Sequence, residues 1–205
     1  ITSLACVPFA LAPLLEMRVN GEDGSYFNLI DDAMISMTYA KLLALGEGLS
    51  FPSFAPTEGI TNPGWVGVMA IAHLIPGDPA LYILAVNYGL LLATLFMIYK
   101  SVVYLGGNTT FAFLAVITYS LWNGFQVFQW AASGLEASAL GFLYMAFVYT
   151  IIAQRHQADS NEWPLRAFVV LAALGVAATV VRLDSGLPLF VALIGLMIHS
   201  LAYQG

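Results

Sequence analysis

The chain has 205 residues, 60% of them hydrophobic and 9% charged, and carries a net charge of −6 with a mean hydropathy of +0.84. A soluble domain carries about a quarter charged residues, so this chain cannot cover itself with polar surface and belongs in lipid. A basic nucleic-acid footprint is absent, and the single cysteine, Cys6, rules out an internal disulfide framework.

Residues 1–15 are apolar but short of the ~20 needed to cross the hydrocarbon core. They carry no basic n-region of a signal peptide. The expectation is the outer part of a first transmembrane helix whose beginning is missing, in a protein that is longer than this sequence. A polar stretch follows, with Glu16, Glu22, Asp23, Asp31, Asp32, Glu47 and Glu58. Within it, Ile35, Tyr39, Leu42 and Leu43 fall on one helical stripe that ends before Gly46. This reads as an amphipathic helix lying on the membrane, with Asp31 as its N-cap. The run 64–75 is too short to span and ends at Pro76, Gly77, Asp78 and Pro79, so it reads as interfacial or re-entrant, with Trp65 as a headgroup anchor. Residues 16–79 thus form a long loop with surface helices. Full spans are expected at 80–104, 109–130, 135–153, 164–181 and 187–203, which makes an all-α integral membrane bundle.

Charge placement orients this bundle. With 64–75 on the surface, Lys100, Arg155 and Arg166 fall on one side of the membrane. Asp31, Asp32, Glu58, Glu136, Arg182 and Asp184 fall on the other. Short cytoplasmic loops collect Lys and Arg, so the carboxylate side is expected outside and the long loop extracytoplasmic; Arg18 and Lys41 also fall on that side, in a long loop where the rule has less force.

Two accounts of these acids stand side by side. Asp31 and Asp32 suit the first turn of a helix, where the dipole favours negative charge. Adjacent carboxylates also couple, so that one holds its proton more tightly, which suits a general base. Glu136 and Arg182 either tie two helices together or serve a site, since ionisable groups at membrane depth are costly. His73, His156 and His199 show no ligand spacing, and no phosphate loop, Ser/His/Asp set or cysteine pair is visible.

Four segments in order carry a resemblance: DDAMISMTYA from Asp31, GEGLSF from Gly46, EGITNPGW from Glu58 and SGLE from Ser133. Together they resemble successive motifs of GT-C membrane glycosyltransferases. The subgroup most like them is the actinobacterial arabinofuranosyltransferase that adds terminal β-1,2 residues, with its relatives. The resemblance covers nearly the whole chain. It departs at Thr38, where relatives have Arg, and at Arg182-Leu-Asp-Ser-Gly186, where they tend to have Arg-Pro-Glu-Gly.

The resemblance implies a GT-C-like transmembrane helix bundle in a bacterial plasma membrane, with its site on the extracytoplasmic face. The implied reaction is inverting transfer from a polyprenyl-phosphate sugar to a glycan or lipid acceptor. Asp31 or Asp32 would be the base, and relatives favour the first of such a pair, Asp31. Arg182 would meet the phosphate, because guanidinium matches its oxygens. Glu58, Asn62, Glu136 and Asp184 would complete the substrate site. Glu58 and Glu136 would hold sugar hydroxyls, and a divalent cation (Mg2+, Mn2+ or Ca2+), if used, would fall to Asp32 and Glu136. A transporter or channel with a carboxylate-lined path, and a non-catalytic scaffold, are the alternatives.

Overall fold

The computed structural model describes residues 18–21, 24–27, 29–49, 59–122, 126–157 and 163–202. An antiparallel hairpin comes first, β1 (Arg18–Gly21) and β2 (Gly24–Phe27), with Val19 opposite Tyr26 and Arg18 opposite Phe27. The described part of the loop thus carries a short hairpin in addition to the expected surface helices. β-Branched and aromatic residues favour extended backbone, and a two-residue connection is a common hairpin length.

The described helices are α1 (Asp31–Ala44), α2 (Pro63–His73), α3 (Pro79–Tyr104), α4 (Thr109–Leu121), α5 (Gln126–Ala132), α6 (Ala137–Gln157), α7 (Leu165–Val181) and α8 (Leu187–Ala202). Their ends follow local chemistry. Gly46 takes a left-handed φ of 82°, and the amides of Gly46 and Glu47 close on the carbonyls of Leu43 and Leu42, so α1 stops where expected. Asp78 caps α3 by accepting from the Ala80 amide at 2.9 Å, with Pro79 in the first turn. Its other oxygen accepts from the Phe27 amide at 3.2 Å, which ties the hairpin to α3. Asn108 caps α4 by accepting from Phe111 at 3.0 Å.

Among the described residues two helices, α3 and α6, are long and apolar enough to cross a membrane. The stretch 109–130, read from sequence as one span, is divided into α4 and α5, which are bent by 64° relative to each other. Taken as one broken span, this pair is a third candidate. Helices α7 and α8 have 17 and 16 residues, below the ~20 of a perpendicular span. Large apolar side chains on the outside of the bundle, among them Leu92, Phe96, Phe111 and Val191, are more than half exposed. That surface suits lipid, not water.

Helices α3 and α6 lie side by side and run in the same direction. Asn87 of α3 donates to the Leu135 carbonyl just before α6, and Tyr104 at the far end of α3 stacks on His156 at the far end of α6. One core joins α1, α2 and the first half of α3 around Trp65, Met69 and Ile83. A second joins α6, α7 and α8 around Phe147, Leu171 and Leu189.

Helix α1 buries a stripe that shares Tyr39 with the one read in its sequence but leaves out Ile35 and Leu43. Ala33, Ser36, Met37, Tyr39 and Ala40 are buried, while Ile35 and Leu43 are exposed. Small residues let helices approach closely where the surrounding medium is as apolar as the side chains. The large apolar residues are then free to face lipid. Trp65 is likewise no headgroup anchor: it is 1% exposed, at the centre of the first core.

Candidate functional site

The turn between α5 and α6, Ser133-Gly134-Leu135, is held from several directions. Gly134 has φ 84°, a conformation that costs other residues, and a Cβ there would press into the Leu29 side chain. The Trp65 indole N–H donates to the Gly134 carbonyl at 2.9 Å. Asn87 donates to the Leu135 carbonyl at 3.0 Å, and the Ile30 amide donates to the Ser133 carbonyl at 3.3 Å. Ser133 Oγ accepts from the Leu135 amide at 3.1 Å. Elements α1, α2 and α3 thus grip one turn, which delivers Glu136 into the interior at 4% exposure.

Both oxygens of that buried carboxylate are used. Oε1 pairs with Arg182 Nη1 at 2.8 Å, and Oε2 accepts from Asn62 Nδ2 at 3.0 Å. The Asn62 amide also reaches Ser36 Oγ on α1 at 3.2 Å. Arg182 Nε donates to Asp184 Oδ1 at 3.1 Å. The Leu183 amide donates to the Thr61 carbonyl at 3.1 Å, so the end of α7 is locked to the start of α2. A Cβ on Gly64 would run into the Val180 backbone, so glycine there permits this approach. The chain Ser36–Asn62–Glu136–Arg182–Asp184 therefore links α1, α2, α6 and the α7–α8 turn.

Electrostatics favour a permanent cation in this cluster. The pKa of Arg182 is raised, first by its hydrogen bond to Glu136; burial opposes this, and Asp184 adds to it. Its side chain is 42% exposed, and among the described residues its Nη2 makes no hydrogen bond. The guanidinium can therefore accept an anion from the open side while Glu136 steadies it from below.

Beside the pair lies a cavity of about 320 Å³, bordered by Glu136, Arg182, Leu91 and Thr94 of α3, Tyr119 of α4 and Trp130 of α5. Thr94 is 15 residues into α3 by its numbering, or ~22 Å along the helix. The site is recessed into the bundle, and its wall includes both halves of the bent pair.

The expected site residues are thus partly assembled. Asn62, Glu136, Arg182 and Asp184 come together. Glu58 lies outside the described residues. Asp31 and Asp32 are exposed in the first turn of α1, outside the cavity wall. Asp31 does not act as the N-cap: Ile30 holds that position, and no side chain caps the helix. Among the described residues no three His, Cys, Asp or Glu gather as a metal site. Sequence reasoning gave no role in the site to Ser36 or Trp130. The available signals were that Ser36 lies one turn after Asp32, and that Trp130 lies three residues before Ser133.

Fold and site together define a helical membrane protein with a half-buried ion pair beside a recessed cavity. No family model, no curated protein and no solved structure matches the chain.

Proposed function

We propose that the protein is a GT-C type membrane glycosyltransferase. It transfers a sugar from a polyprenyl-phosphate donor to an extracytoplasmic glycan or lipid acceptor, with inversion. The observation that carries the reading is the convergence of three separated segments on one hydrogen-bonded cluster. Ser36 comes from the first motif of the resemblance, Asn62 from the third, and Glu136 from the fourth. Arg182 joins them as an anion-binding group.

In this mechanism the donor phosphate sits on the open side of Arg182. A carboxylate takes the proton from an acceptor hydroxyl, whose oxygen attacks the anomeric carbon. The bond from that carbon to the phosphate oxygen breaks, and polyprenyl phosphate leaves as an anion stabilised by Arg182. Glu136 orients Arg182 and Asn62, and because each carboxylate oxygen has two lone pairs it can also accept from a sugar hydroxyl. The family resemblance gives the role of base to Asp31, but the register of α1 favours Asp32. Asp32 is four residues from Ser36 and so lies on nearly the same face of α1, whereas Asp31 is turned ~140° away. We therefore assign Asp32 as base and Asp31 as its helper.

Incubation with radiolabelled polyprenyl-phosphate sugars and membrane acceptors tests the activity. Asp32→Asn should cut turnover by ~10²–10⁴, the range general-base catalysis supplies, with donor binding nearly intact. Asp31→Asn should be milder. The reverse order would exchange the two roles, and full activity in both variants would dismiss the mechanism.

A transporter is the second reading, favoured by one observation: the cavity borders the bent pair α4 and α5. Broken spans commonly hold substrate sites in transporters. Ion flux through liposomes carrying the protein, without sugar transfer, would select it.

A further inference from the structure

We infer that the indole of Trp130 is the platform on which the donor's sugar ring stacks, a role that rests on the glycosyltransferase reading. Sugar recognition needs two kinds of surface. Planar polar groups match the hydroxyls, and an aromatic face covers the apolar C–H patch of the ring. This cavity is lined by both kinds. Glu136 and Arg182 are its charged lining residues, and Trp130 and Tyr119 are its aromatic ones.

Trp130 is the exposed tryptophan that borders the cavity and has its backbone supported there, whereas Trp122, at 69% exposure, lies outside the cavity lining. Tryptophan is the largest apolar side chain, and when it is placed to pack it is normally covered, as Trp65 and Trp163 are here at 1% and 7% exposure. Trp130 remains 45% exposed while bordering the cavity. Its backbone is held, because its carbonyl accepts from both the Ser133 amide and Ser133 Oγ, the latter at 2.7 Å. The same short stretch, α5 and the Ser133 turn, therefore fixes Trp130 and Glu136 relative to each other. A stacking ring and a hydroxyl-directed polar group in such fixed relation select ring shape, where Arg182 alone would accept any phosphate.

The apolar groups Leu91 and Val127 also border the cavity, so a prenyl chain is the competing occupant of this wall. Binding of three lipids to the full chain in nanodiscs separates the two. The probes are farnesyl-phosphoryl arabinofuranose, farnesyl-phosphoryl glucose and farnesyl phosphate without a sugar. Trp130→Leu keeps apolar bulk and removes the ring, whereas Trp130→Tyr keeps a ring. The expected result is that Trp130→Leu weakens at least one sugar-bearing lipid by roughly three- to tenfold. Farnesyl phosphate should be unchanged, and Trp130→Tyr should stay close to wild type. Arg182→Ala should weaken all three. Equal effects of Trp130→Leu on lipids with and without sugar, or no effect on either, would overturn the stacking role and leave the glycosyltransferase reading intact. If the wild-type protein binds none of the three lipids, that reading falls and the stacking role falls with it. An unchanged thermal midpoint of Trp130→Leu is required for either conclusion, and Trp130→Tyr supplies the comparison if Leu unfolds the turn.

Discussion

At the level of single residues, Glu136 and Asp184 both touch Arg182, yet burial makes their contributions unequal. The Glu136 side chain is 5% exposed and that of Asp184 is 77%. A surface pair contributes about 0–1 kcal/mol, because water screens it and two flexible chains must be ordered. Removing Glu136 does more harm, since it strands the half-buried Arg182 guanidinium and leaves the Asn62 amide without its carboxylate. The cost of breaking a buried pair is about 3–5 kcal/mol, and partial exposure of Arg182 lowers this to roughly 2–3 kcal/mol. Glu136→Ala should therefore lower the thermal midpoint in detergent clearly, and Asp184→Ala should leave it almost unchanged. Equal shifts would mean that the cluster is solvated throughout.

At the level of elements, α1 and α2 form a close pair whose contact depends on small side chains. Ala33 and Ala40 are fully buried, so Ala40→Leu must push the helices apart, at about 1–3 kcal/mol. Ile35→Ala, on the exposed stripe, should cost far less. The comparison is read from protease resistance of the α1–α2 region, and a larger loss with Ile35→Ala would reverse the assignment of faces. The same pair carries a pH dependence through His73, whose side chain is partly buried at the end of α2. Its pKa is lowered, first by burial, with Lys41 adding to this and a hydrogen bond to the Met37 backbone opposing it. A base whose folded pKa lies below its unfolded value binds protons more readily when unfolded. Its stabilising contribution is thus complete above ~6.5 and is lost as pH falls through the depressed folded value. Thermal midpoints should drop between neutral and mildly acidic pH, and His73→Gln should flatten that drop.

For the whole molecule, the polar cluster and the carboxylates of α1 occupy the end of the bundle where α3 and α6 begin. Lys100, Arg155 and Arg166 belong to the opposite end. We propose, from the basic-inside tendency, that the cavity mouth faces the extracytoplasmic side. In a Cys6→Ser background, Glu47→Cys should react with an impermeant thiol reagent added to intact cells, and Leu105→Cys should not. Both positions are exposed, so labelling of Leu105→Cys alone would invert the proposed topology, and with it the side of the proposed site.

What the sequence determined by itself is the part that depends on neighbours along the chain. The apolar run from Pro79 to Tyr104, its Asp-Pro start and the Gly46 stop could be read directly, because hydropathy, capping and turn chemistry act within a few residues. The residues Asn62, Glu136, Arg182 and Asp184 were recognisable as candidates, and a tie between Glu136 and Arg182 was one of two accounts open to them, but Asn62 was not legible as a partner of Glu136. Only the tertiary structure decided that Arg182 reaches across 46 positions to Glu136, or that Asn62 reaches across 74. Such contacts depend on how helices are rotated and offset against one another. In an apolar medium that choice falls to small residues such as Ala33, Ser36 and Gly64, whose hydropathy says little. For the same reason the buried face of α1, the interior position of Trp65 and the break between α4 and α5 became visible only once the helices were packed.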